Sequence, residues 1–236
     1  LVEHLPDKSW FLDNTQSYKD ISDWPGVDFR NAEVTSIDWL LDVDIPSHGS
    51  IDMLWMPPTV TYFCINMLRL HGTVETQKLS QSLAVLSICE NRFVGSFDAT
   101  TLPMTLTRID IHANEFSGDL GLTRLPVALV HLHAGENHFS GTLDLTSLPI
   151  TLQRLYLFKN SFYGSLCLKK LPLSIESLHL HKNQLKQHDL YVRDGLISLR
   201  QLRLDAASFS EMIVGHGNRP LEKIPVRDPA IVMYKF

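Results

Sequence analysis

Cysteine is scarce in this 236-residue chain, occurring only as Cys64, Cys89 and Cys167. An odd, sparse set is a poor disulfide framework and implies a reducing compartment. No Asn-X-Ser/Thr sequon occurs, in keeping with a chain that does not meet the glycosylation machinery. Apolar runs are short of the roughly 18 residues a membrane helix needs, so no membrane span is expected. Excess charge is small, at −5, which gives no general attraction to nucleic acid or anionic lipid. There is no P-loop, no G-x-G-x-x-G and no paired C-x-x-C, so the familiar phosphate, dinucleotide and zinc-ribbon sites are missing. The chain opens on Leu1 instead of methionine, so upstream sequence is expected to have been removed, with any targeting peptide it carried. These readings point to an intracellular protein, cytoplasmic or within an organelle. A composition that is 44% hydrophobic and 20% charged argues against disorder.

What the sequence has is a period. Asn91, Asn114, Asn137, Asn160 and Asn183 follow one another at steps of 23 residues. Gly49, Gly72, Gly95, Gly118, Gly141 and Gly164 keep the same step, and Phe93, Phe116, Phe139 and Phe162 sit two residues after their asparagines. The text between reads L-x-x-L-x-L-x-x-N-x-F-x-G-x-L-x-L-x-x-L-P. Repetition of this kind signals a stacked array.

Each position has a physical reading. Alternating leucines such as Leu155 and Leu157 have the period of a strand with one buried face, which a lone unit cannot cover and stacked neighbours can. The asparagine follows the strand, where its amide can hold backbone groups that the turn strands inside the coil, and the copies form a ladder. Phenylalanine fills the coil beyond, glycine permits a positive-φ bend, and Leu-Pro redirects the chain. Residues 1–33 lack the period and carry Trp10, Phe11, Trp24 and Phe29. They read as a cap with a short helix near Asp7–Asn14, and all four tryptophans (10, 24, 39 and 55) are read as bulk covering the end of the core.

This pattern resembles the leucine-rich repeat family, and its N-x-F-x-G-x-[LF]-D-L-T-x-L-P form resembles the 23-residue repeats of protist, kinetoplastid-type members. Trp24-Pro-Gly-Val27 with Glu33-Val-Thr-Ser-Ile-Asp-Trp39 looks like the cap before such arrays, and Gly49–Pro58 like the group's second unit. Secreted relatives carry a cysteine after the G-V pair. Asp28 and Phe29 stand there here, which removes the cap disulfide. The resemblance implies a right-handed, curved solenoid with a parallel β-sheet on its concave face, extended and 3-10 segments on its convex face, and little α-helix. It also implies a cap at 1–33, an array of about eight units over 34–209, and a C-terminal cap and tail at 210–236. Ala207 stands where the last asparagine belongs, and the tail Arg219–Phe236 is read as an extended segment docked on the last coil.

In an L-x-x-L-x-L unit the residues between the leucines point out of the sheet, towards the inside of the arc. Three such columns collect Arg108, His131, Arg154 and Arg203, then Asp110, His133, Tyr156 and His179, then His112, Phe158 and His181. Five of the chain's eleven histidines lie there. Tyrosine, arginine and phenylalanine are enriched in interfaces, so these eleven residues are assigned to binding a partner protein, with the Arg154–Tyr156–Phe158 strand foremost. Arginines 108, 154 and 203 are balanced by Asp110 and Asp205, so no nucleic-acid groove is expected.

Cys89, His112, Asp110 and His133 fall close enough to suggest a metal site or a nucleophile–base pair. Zinc takes a closed pocket with outer hydrogen-bond partners, and catalysis needs an oxyanion hole, neither of which a shallow open face supplies. No metal, cofactor, small-molecule substrate or catalytic residue is assigned. Histidines near their free pKa make the face pH-sensitive below about pH 6.5. The expectation is a non-catalytic interaction module. The alternatives are a scaffold subunit held through its caps and convex side, and an extracellular recognition protein.

Overall fold

The computed structural model describes residues 2–5, 7–39, 48–193, 195–205 and 208; at 189, 211–214 and 222–225 it describes the backbone alone. Strands Tyr62–Cys64, Val85–Ser87, Arg108–Asp110, His131–His133, Arg154–Tyr156, Ser177–His179 and Gln201–Arg203 pair in parallel, each with the strand one repeat away. With Val27–Arg30 and Glu33–Asp38 at one end they make a nine-stranded sheet. A second, seven-stranded parallel sheet runs from Gly49–Ser50 to Gln184–Leu185 on the return side. The core lies between: Leu106, Ile109, Ile111, Leu129, Leu152, Leu155 and Leu157 are all fully buried. Helix is confined to six short 3-10 turns among the described residues, none long and apolar enough to cross a membrane.

The asparagine ladder forms as the turn chemistry predicts. Asn137 donates from Nδ2 to the carbonyls of Ile111, Ala134 and Gly135, at 3.0, 3.4 and 3.1 Å, and its Oδ1 accepts from Phe116 N–H at 3.0 Å. One side chain thus satisfies backbone groups of two coils that no strand reaches. The residue before each asparagine takes the left-handed region to make the turn, with φ of 54° at Glu90, 51° at Ala113 and 55° at Glu136. Behind the ladder Phe93, Phe116, Phe139 and Phe162 stack with centroids 6.1–6.3 Å apart. In the unit that lacks glycine, Gln187 exchanges hydrogen bonds with the backbone of Leu166, its amide doing for the end of the array what the next coil does elsewhere.

The cap is partly as expected. Phe11 and Trp39 are fully buried and lie 5.5 Å apart, Trp24 packs on Phe11 at 4.8 Å, and the Trp39 indole donates to the Pro25 carbonyl at 3.0 Å. Gly26 is obligatory there: its φ is +67°, and a Cβ would stand 2.1 Å from the Asp38 carbonyl oxygen. The antiparallel pair Val27–Arg30 and Glu33–Asp38 covers the first edge of the sheet. Two tryptophans do not serve as core cover, since Trp10 is 40% and Trp55 70% exposed. The helix expected near Asp7–Asn14 is only a 3-10 turn, Ser9–Phe11. At the other end, Glu211–Val214 continues a four-stranded sheet from Asp189–Val192 and is followed antiparallel by Glu222–Pro225. Ala207 and the remainder of the tail lie outside the described residues.

Candidate functional site

The strand register aligns the outward columns as the period requires: Arg108, His131 and Arg154 are direct neighbours, as are Asp110, His133, Tyr156 and His179. The open face expected from the sequence is not what these side chains make. Asp110 and His179 are buried, and His112, His131, His133, Tyr156, Phe158, His181 and Arg203 are half-buried, because each lies against its neighbour one coil away. Arg108 alone of the eleven is exposed.

The rings form a continuous band. His112 stacks on His133 at 4.2 Å, His133 meets Tyr156 edge-on at 5.3 Å, and Tyr156 stacks on His179 at 4.5 Å. Phe158 stacks on His181 at 5.1 Å and lies 5.7 Å from His133. Polar side chains frame it. Arg154 donates to His131 Nε2 at 3.0 Å and faces Glu176 at 3.8 Å, and His179 Nε2 pairs with Gln201 Oε1 at 3.1 Å. A depression of about 190 Å³ opens between Arg108, Asp110, His131, His133, Arg154 and Tyr156. Within the band His133 Nε2, His181 Nδ1 and Arg203 Nε are buried without a hydrogen-bond partner among the described residues.

The histidines do not share one ordinary pKa, which corrects the expectation of a uniform switch. Burial drives His179 down to about 4 against the opposing hydrogen bond that it donates to Gln201, and burial also lowers His131 and His181. His112 moves the other way. Burial opposes its charge, but the hydrogen bond to Asp110 at 2.7 Å prevails and raises it to about 10. Asp110 is correspondingly held well below the carboxylate range, its burial outweighed by hydrogen bonds from His112 and His133.

Two features escaped the sequence reading. Gly135 sits in the third column between His112 and Phe158 and leaves the gap that the Phe158 ring fills. On a different side, Met104, Val127, Ile150, Leu173 and Ile197 each sit in the turn before the next strand, and all are at least half exposed, Ile150 at 85%. Met104, Val127 and Ile150 border a groove of about 720 Å³ that also contains Thr100, Thr123 and Arg124. The signal was the residue after each Leu-Pro, which repeats at 23 for Met104, Val127, Ile150 and Leu173 and is apolar each time.

Stacked coils paired strand to strand in two parallel sheets, an internal asparagine ladder and a buried phenylalanine spine decide the architecture. The fold is that of a leucine-rich repeat solenoid. No protein-family model matches the chain, and no curated protein matches it. Solved structures do. The PEPR1–AtPEP1 structure matches with a TM-score of 0.60 at 18% identity, over 86% of this chain and 37% of that one. The Arabidopsis receptor kinase HAESA, in complex with the peptide hormone IDA and the co-receptor SERK1, matches with a TM-score of 0.54 at 20% identity, over 75% of this chain and 38% of that one. A plant ice-binding protein matches with a TM-score of 0.51 at 16% identity, over 83% and 79%. This solenoid therefore spans little more than a third of the first two of these chains, and at such identities the likeness is one of fold.

Proposed function

We propose that the protein is a non-catalytic interaction module that binds a partner protein across the ring band on the concave side of its nine-stranded sheet. The carrying observation is the band itself: His133, Tyr156, Phe158, His179 and His181 are already packed on one another, so little side-chain freedom is lost on association. Arg108, Arg154, Arg203, His112 and His131, with Asp110, supply the polar rim. HAESA, of the same fold, holds a peptide hormone, the kind of occupant proposed for this face. An intracellular setting accords with Cys64, Cys89 and Cys167, all free thiols. The constant step of 23 residues supports placing the array with the protist-type repeats.

Purification of the protein from its own cells, beside a Tyr156→Ala, Phe158→Ala variant, tests the reading. The wild type should retain one or a few proteins that the variant loses. Equal retention by both would overturn it.

A second reading, a scaffold subunit held through another side, is favoured by the exposed apolar row Met104–Val127–Ile150–Leu173–Ile197. Loss of the partners on Val127→Ser, Ile150→Ser substitution, with the ring band intact, would select it.

A further inference from the structure

Cys89, Asp110 and His112 come from two successive coils and meet at one point of the long sheet, and His133 of the next coil stands beside Asp110. The ligating atoms of Cys89, Asp110 and His112 all lie within 4.8 Å of one another. Asp110 Oδ1 stands 2.7 Å from His112 Nδ1 and 3.4 Å from His133 Nδ1. The two imidazoles are nearly parallel, 13° apart, so both offer the same nitrogen to the same oxygen. The objection raised by an open face does not hold at this point, because Cys89 is 5% and Asp110 8% exposed.

We propose that these four side chains form a binding site for a zinc-class divalent cation. One thiolate, two imidazoles and one carboxylate are a donor set suited to a borderline, tetrahedral ion, and their two negative charges neutralise it. Ligand atoms around tetrahedral zinc stand about 3.3–3.8 Å apart. The His133–Asp110 spacing of 3.4 Å is already there, and the 2.7 Å His112–Asp110 contact has to open by less than an ångström as the metal replaces its proton. Thiol and imidazolium protons leave to solvent on binding, and no redox step is involved.

Outer partners stand beside two of the donors. With Nδ1 of His112 turned to the metal, Nε2 faces Glu90 Oε1 at 3.7 Å, an ion-pair distance that a small closure turns into the carboxylate–imidazole hydrogen bond that orients zinc-bound histidines. The second oxygen of Asp110 faces Arg108 Nη2 at 3.7 Å, and the His112 amide lies 3.4 Å from the first. Strands that pair Ser87 with Asp110 and Asp110 with His133 hold the donors on a rigid ladder.

Cobalt(II) is the probe. Added to the purified full chain, one equivalent should give a thiolate-to-cobalt charge-transfer band with visible bands of tetrahedral strength, and one equivalent of zinc should remove both. Cys89→Ser should abolish the charge-transfer band, whereas Cys64→Ser and Cys167→Ser should keep it. No band at one equivalent, or a band that survives Cys89→Ser and vanishes with Cys167→Ser, would overturn the site. Should Cys89→Ser fail to fold, X-ray absorption of the zinc-loaded wild type decides: one sulfur at about 2.3 Å with nitrogen or oxygen neighbours supports it, and a shell without sulfur refutes it. Both experiments use the protein alone, so their outcome is independent of whether the ring band binds a partner.

Discussion

The ring of Phe158 lies over Gly135, 2.8 Å from where a Cβ on that glycine would stand. The glycine is one coil below, and its missing side chain lets the ring lie flat against the sheet between His133 and His181. Gly135→Ala has no backbone obstacle, since Gly135 does not have a positive φ. The substitution should cost no more than about 1 kcal/mol of stability yet lift Phe158 off the face, because a half-buried side chain can move where a backbone cannot. Ring-current shifts on the His181 imidazole protons should change, and partner retention should fall towards that of Tyr156→Ala, Phe158→Ala. An unchanged His181 spectrum would show that the ring accommodates the methyl in place.

Asn137→Ala tests the ladder. The substitution removes three donated bonds and one accepted bond: the Phe116 amide loses its Asn137 acceptor, while the carbonyls of Ile111, Ala134 and Gly135 each keep one donor, from Asn114, Asn160 and Ala113. The expected loss is about 3 kcal/mol, read as a lower urea midpoint. Coils on either side should lose amide-exchange protection first, since each contacts only its neighbours.

His179 gives the face a defined pH response. It packs against Tyr156 and His181 and pairs with Gln201, with Arg203 contributing a further unfavourable charge. Its folded pKa of about 4 lies below the ordinary 6.5, so the unfolded chain binds the proton more readily. Its contribution to stability is complete above pH 6.5 and is lost as the pH falls from there to about 4. His131 and His181, both lowered by burial, change in the same sense. Urea unfolding of the wild type across this window should show stability falling with pH, and His179→Asn should flatten the slope.

The apolar row on the other side is exposed in the isolated chain and contributes little to its fold. Val127→Ser with Ile150→Ser should shift stability by no more than about 0.5 kcal/mol per site. A marked fall in the thermal midpoint would mean that these side chains are covered by the chain itself.

The repeating frame was legible in the residues because a unit of 23 imposes the same local chemistry each time: alternation makes the strand, asparagine closes the turn and phenylalanine fills the coil. The order of columns on the long sheet follows from that period too, since each coil gives that sheet one strand and the parallel register leaves no freedom of pairing. What the columns do was not legible. Whether His112 turns to Asp110, whether Phe158 leans to Gly135, and whether Met104 and Ile150 remain uncovered depend on rotamers chosen against side chains a whole coil away in sequence. Local pattern specifies the backbone, which repeats. Only the packing of unlike side chains on that backbone, coil against coil, decides where charge is buried, where rings join and where a ligand can be held.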